Sequence, residues 1–203
     1  MDASAIVAVL REAVPDASID PIEGNDMPSI AVDREHLIET CRALRDHPSL
    51  QFALLADVTA VDRLPEAPRY ELVYHLACLG EHYPTAGSRP VAPARLRMKV
   101  RLPDEDPRAP TITSVYPGAG WPEREVYDLF GISFDGHPDL RRILMPDDWV
   151  GYPLRKDYPV QIRKDTASWQ PVQITADEFA ENIRQQRELA SRYAQSPGRD
   201  SQD

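Results

Sequence analysis

The chain has 203 residues, enough for one full hydrophobic core, and its 42% hydrophobic and 28% charged residues are ordinary for a globular protein. A net charge of −10 argues against a duplex-binding surface, which needs basic residues to neutralise phosphates. Two cysteines occur, Cys41 and Cys78, with no CxxC, which excludes an iron–sulfur cluster or zinc ion held by spaced cysteines of this chain alone.

The first residues, MDASAIVAVLREAVPDA, carry no basic region ahead of a short apolar run, so they do not read as a secretory signal. No stretch approaches the roughly 20 apolar residues that cross a bilayer. The expectation is a soluble chain in a reducing compartment. Ile6, Val9, Leu10 and Ala13 recur at helical spacing and predict a short amphipathic helix. PSIAV (28–32) predicts a strand. Asp33 then fits the N-cap of a helix with Leu37, Ile38, Cys41 and Leu44 as its buried stripe, ending near His47-Pro48.

Three strands follow. FALLADVTAVD puts Phe52, Leu54, Ala56, Val58 and Ala60 on one face. RYELVYHLACL does the same for Tyr70, Leu72, Tyr74, Leu76 and Cys78. In ARLRMKVRL, Leu96, Met98, Val100 and Leu102 alternate with Arg95, Arg97, Lys99 and Arg101, the period of a half-buried strand. Short or turn-rich connections suit an antiparallel meander. The predicted fold class is α+β, a mainly antiparallel sheet with helices packed on one face, followed by an extended C-terminal docking segment.

In TITSVYPGAGWPEREVYDLFG, Pro122 suits the first position of a helix, Glu123 and Glu125 favour its N-terminal end, and Gly131 stops it. Arg124 and Asp128 stand four apart, so they can pair along one side. So short and charged a helix needs packing from elsewhere. From Ile132 to about Pro171 no useful period occurs, yet Trp149, Tyr152, Tyr158 and Trp169 argue against disorder. Thr175 to Glu178 forms a capping box, with Phe179, Ile183, Leu189 and Tyr193 on a polar helix and a disordered end after it. The domain plan is therefore 1–131, an α+β domain; 132–171, an extended partner-binding segment; and 172–203, a polar helix and disordered tail.

Recognisable catalytic geometry is missing. There is no phosphate loop, GxGxxG or GxSxG, and Glu35-His36 is not part of an HExxH. His75 and His82, seven apart on a continued strand, would face opposite sides. Asp135, His137 and Asp139 imitate a ligand cluster, but DGHP reads better as a turn with a structural His137. Glu123, Glu125 and Asp128 are acid/base candidates. No nucleophile or cofactor motif accompanies them, so they read better as a charged helix start holding neighbouring loops. The basic face from Arg95 to Arg101 reads as solvated. HPDLRRILMPDDWVGYPLRKDYP, extended and rich in Trp, Tyr and Arg, has the composition of an interface.

The run WPEREVYDLFGISFDGHPDLRRILMPDDWVGYPLRKDYP closely resembles the signature of the 30-kilodalton family, the C-type subunits of proton-pumping NADH:quinone oxidoreductase, respiratory complex I. Its core is Glu123, Arg124, Glu125, Asp128, His137, Arg141 and Arg142, continued by Trp149 and by Arg155, Lys156, Asp157 and Tyr158. LLADVTAVD, RYELVYHL and RLRMKV extend the resemblance to about residues 30–160. Gly120 departs from the pattern, standing where relatives often carry a polar residue, and the chain looks like the unfused form. The resemblance implies a cofactor-free subunit of the hydrophilic arm, with no catalytic or metal site of its own. FMN, iron–sulfur clusters and quinone would belong to partner subunits. It implies docking of the D (49 kDa) and B subunits near the quinone site, no nucleic acid, and a peripheral position on the cytoplasmic side of the cell membrane. Two other readings stay open: the equivalent subunit of a membrane-bound hydrogenase or ferredoxin-linked relative, and a free-standing hydrolase using Glu125 and His137.

Overall fold

The computed structural model describes residues 2–24, 26–80 and 91–159, and in the C-terminal part residues 175, 177–181, 183–185 and 187. Asp2 caps the first helix, α1 (Ala3–Ala13), by accepting the Ala5 N–H at 2.7 Å, and Ile6, Val7 and Leu10 are its buried stripe. Strands β1 (Ile19–Ile22) and β2 (Ser29–Val32) pair antiparallel. After α2 (Leu37–Asp46) come β3 (Leu54–Asp62), β4 (Tyr70–Cys78) and β5 (Ala94–Leu102), the expected antiparallel meander. Strand β2 joins β5 in parallel, so the sheet order is β1-β2-β5-β4-β3. The chain is thus α+β with a mostly antiparallel five-stranded sheet, as its patterning predicts.

Tyr70, Leu72, Tyr74, Leu76 and Cys78 of β4 and Leu96, Met98, Val100 and Leu102 of β5 are all buried. Each large apolar side chain among them contributes about 2 kcal/mol by leaving water. Helix α3 (Gly120–Phe130) adds Val126 and Phe130 to the same core. Tyr116, just ahead of it, donates its hydroxyl to Phe52 O at 2.7 Å.

Several expectations are corrected. Strand β1 contains Pro21 and has no readable period; it is an edge strand, where a missing N–H is tolerated. A bulge between Leu55 and Asp57 resets the side-chain alternation of β3, leaving Leu54 and Ala56 exposed while Val58, Ala60 and Asp62 are buried. Asp33 is not the cap of α2. It stands one turn earlier, where its carboxylate accepts the N–H groups of Ser18 (2.6 Å) and His36 (2.9 Å). The basic face of β5 is not merely solvated. Lys99 and Arg101 meet buried Glu71 of the neighbouring strand at 3.1 and 3.4 Å, and Arg97 meets Asp26 at 2.6 Å. In the stretch without a period, β7 (Ser133–Asp135) pairs in parallel with β6 (Arg108–Pro110).

The expected domain break after residue 131 does not occur. Residues 1–159 make one compact unit and 160–203 another. In the second unit, Thr175 and Glu178 form the expected capping box, with the Glu178 N–H bonded to the Thr175 hydroxyl at 3.3 Å and the Thr175 N–H to the Glu178 carboxylate at 2.9 Å. Residues 177–181, 183–185 and 187 are helical. Residues 160–171 of the proposed docking segment, Leu189, Tyr193 and the expected disordered end lie outside the described residues. Among the described residues no helix is long and apolar enough to cross a membrane.

Candidate docking site

Helix α3 carries two buried carboxyls with opposite environments. Glu123, Val126 and Phe130 fall at i, i+3 and i+7 and are buried with the core. Glu123 is fully buried; its Oε1 accepts the Ile112 N–H at 2.9 Å and its Oε2 lies 2.5 Å from the Thr111 hydroxyl. Burial pushes its pKa up against these bonds and the nearby His137. The His137 ring lies 3.8 Å from Glu123. Its Nδ1 accepts the Asp139 N–H at 3.0 Å, so its Nε2 carries the proton and donates to Gly120 O, also at 3.0 Å. His137 is a structural turn residue, joining the start of α3 to the segment after β7.

Asp128 lies off the apolar stripe and is buried by the segment that wraps it. Its Oδ2 accepts three successive backbone N–H groups, Ile143 at 3.0 Å, Leu144 at 2.7 Å and Met145 at 2.8 Å. Its Oδ1 accepts Arg142 Nη1 at 2.6 Å. Burial opposes its ionisation, but those N–H groups and Arg142 outweigh it and hold its pKa low. The Arg124–Asp128 pair that the spacing allows is therefore not formed. Arg124 instead donates to the carbonyls of Arg141 and Arg142, both at 3.0 Å, and covers the Trp121 ring. Arg142 also donates to the carbonyls of Trp149 and Gly151, both at 3.1 Å. Arg141 points outward and pairs with Asp139 at 2.6 Å.

The next stretch closes the C-terminal end of α3. Gly131 takes the left-handed φ of 72°, and Arg155 donates to the Phe130 carbonyl at 2.5 Å. The Arg155 guanidinium lies over the rings of Tyr152 and Tyr70 at 4.5 and 5.3 Å. Two residues on, Asp157 meets Arg69 at 2.8 Å, and the Lys156 N–H bonds to Asp62 at 2.8 Å. Tyr158 packs its ring against Gly151 and its hydroxyl lies 3.4 Å from Val150 O.

Two residues that anchor this stretch, Asp62 and Arg69, escape the sequence reading. They form a buried pair at 2.8 Å that also anchors Asp104 and Asp157. The Arg69 guanidinium holds the Asp62 carboxyl far below the usual range, against the cost of burial. The available signal is parity, since Asp62 continues the buried side of Val58 and Ala60. Thr111, which meets Glu123, carries no such signal.

The structure thus brings together Arg124, Asp128, Arg141, Arg142 and Trp149 on one side of α3, and Arg155, Lys156, Asp157 and Tyr158 at its end. Glu125 is excluded from both networks and is exposed. The outer rim mixes apolar side chains, with Trp121 66%, Leu144 56%, Val150 85% and Leu154 51% exposed, and charged ones, with Asp139, Arg141, Asp147 and Asp148 also exposed.

A family model described as respiratory-chain NADH dehydrogenase, 30 Kd subunit, matches residues 30–164. The chain belongs to this family. It is 50% identical over 130 residues to the NADH-quinone oxidoreductase C subunit of Saccharopolyspora erythraea, covering 64% of this chain and 48% of that relative. The chain therefore spans about half the length of that relative. Among solved structures it resembles a trypsin-resistant fragment of Nqo5, residues 1–134, with 32% identity and a TM-score of 0.52 over 69% of this chain and 100% of that one. It also resembles a chain of the membrane-bound sulfane sulfur reductase, an archaeal respiratory membrane complex, with 27% identity and a TM-score of 0.60 over 77% of this chain and 85% of that one.

Proposed function

We propose that the chain is a cofactor-free structural subunit of a proton-translocating NADH–quinone oxidoreductase. It docks the D (49 kDa) and B subunits of the peripheral arm near the quinone site, on the cytoplasmic side of the cell membrane. Electrons pass from NADH to quinone through FMN and iron–sulfur clusters in those other subunits. Family membership supports the assembly. The docking role is carried by one observation: most of the signature residues are spent on holding the 137–159 segment against α3, and that segment leaves Leu144, Val150 and Leu154 exposed among charged side chains.

The hydrolase reading fares badly on the same geometry. The His137 side chain is 2% exposed and both its ring nitrogens are engaged, so it cannot serve Glu125 as a catalytic partner. The likeness to a sulfane sulfur reductase chain favours one second reading, the same module in another respiratory membrane complex.

The test is to express the tagged full chain in its own host and resolve detergent-solubilised membranes on native gels. The chain is expected in a complex that reduces quinone with NADH, and purified alone it is expected without flavin, iron or turnover. A chain found free in every fraction, or carrying stoichiometric flavin or iron by itself, overturns the proposal. A co-purified complex that reduces sulfane sulfur and not quinone selects the second reading.

A further inference from the structure

An open groove of about 290 Å³ lies between the start of α3 and the bulged beginning of β3. Its walls are apolar, from Leu55, Trp121, Pro122 and Ile143, and Trp121 is 66% exposed. Two carboxylates, Asp57 and Glu125, line the same groove. Neither forms an ion pair or hydrogen bond among the described residues, whereas Glu123 and Asp128 on the same helix are fully engaged. Gly118 on the rim has nothing within 4 Å of where a Cβ would stand, so the entrance is unobstructed.

These facts restrict what can cover the groove. Large exposed aromatic and aliphatic walls gain by being covered. An apolar cover would strand two carboxylates away from water without partners, which desolvation strongly disfavours. An acidic cover would repel them. A metal ion is poorly served, because the described residues hold no group of three or more His, Cys, Asp or Glu side chains that could bind one. A cationic side chain on an apolar segment meets both demands, and the flat arginine guanidinium suits an aromatic wall beside carboxylates.

We propose that the Asp57–Glu125 groove receives an arginine or lysine carried on an apolar segment of a partner subunit. The proposal rests on the docking reading above and assigns that docking a place and a charge.

The test uses the tagged full chain in its host. Asp57→Lys with Glu125→Lys is expected to lower the fraction found in the assembled complex by about tenfold or more, while the melting temperature of the purified chain holds. A charge-matched control on exposed positions of the first helix and the turn after it, Glu12→Lys with Asp16→Lys, is expected to assemble normally. If the reversed pair also lowers the melting temperature, the shape-preserving pair Asp57→Asn with Glu125→Gln replaces it and is expected to weaken assembly in the same direction. A photocrosslinker at position 125 of the assembled complex is expected to capture a partner peptide containing arginine or lysine. Wild-type assembly that the groove variants leave untouched overturns the groove alone. An adduct with quinone, lipid or this chain itself does the same. A wild-type chain that enters no complex overturns the docking reading, and the groove falls with it.

Discussion

Arg142 Nη1 stands 2.6 Å from Asp128 Oδ1, and the other arm of the same guanidinium donates to Trp149 O and Gly151 O. One side chain therefore ties the helix to both ends of the loop that buries its partner. Arg142→Ala leaves a fully buried carboxylate without its cation, which typically costs about 3–5 kcal/mol. Urea unfolding of the full chain should report a loss of that order. Glu125→Gln, at an exposed position without such bonds, should leave the midpoint unchanged. Equal effects of the two substitutions would show that the loop is held by something other than this arginine.

The two buried carboxyls of α3 should respond to pH with opposite sign. Asp128 has a lowered pKa, so its stabilisation is present above the unfolded carboxylate value of about 3.9 and is lost as pH falls below it. Glu123 has a raised pKa because burial disfavours its charge. Its folded form favours the proton, so stability declines as pH rises from the unfolded value, about 4.3, through the folded one. Glu123→Gln can still accept from the Ile112 N–H and donate to Thr111, so it should be neutral or stabilising at pH 7. Asp128→Asn should be clearly destabilising there. Unfolding midpoints across pH 2 to 8 test the contrast, and parallel losses in the two variants would contradict it.

Much of this arrangement is legible in the sequence. The alternation of β4 and β5 names their buried faces residue by residue, because a period of two is fixed by the strand backbone itself. The lack of a helical or strand period from His137 to Pro159 is also legible, and those residues form turns and extended chain. What is not legible is non-local. Nothing in the spacing of Arg124, Asp128 and Arg142 tells that Asp128 prefers an arginine 14 residues away to one four residues away. That choice is made by the three N–H groups of residues 143–145 that converge on Asp128 Oδ2. Strands β6 and β7 are three residues each, too short to show a period. Leu54 and Ala56 precede or sit in a bulge, so a strict alternation misassigns them to the buried face.

Gly131 should be irreplaceable for the junction between α3 and the strip. Its φ is +72°, and a Cβ there would collide with the Tyr152 ring and come within 2.5 Å of Arg155. Gly131→Ala combines left-handed strain of about 1–2 kcal/mol with displacement of the side chains that close the helix. Hydrogen exchange should show the Leu154 amide, bonded to Leu129 O, losing protection while the β4 amides keep theirs. Unchanged exchange at Leu154 would mean that the junction absorbs the methyl without moving.

Asp62 and Arg69 should be the energetic anchor of the strip's far end. Their side chains are 2% and 7% exposed and 2.8 Å apart, and Asp62 also accepts the N–H groups of Leu64 at 3.0 Å and Lys156 at 2.8 Å. Arg69→Met removes the cation but keeps most of the apolar stem, so the loss at pH 7 isolates the charge, at about 3 kcal/mol for a buried pair broken on one side. Adding Asp62→Asn should recover part of that loss, because the uncompensated charge disappears with it. The four-way comparison then gives the coupling between the pair. The sign with pH is fixed as well: Asp62 is held far below its ordinary value by Arg69, so the wild-type advantage should be full above pH of about 4 and shrink as pH falls further. A cycle with no coupling, or an advantage that grows on acidification, would show that Asp62 is held by its backbone partners and that Arg69 serves Asp104 and Asp157 instead.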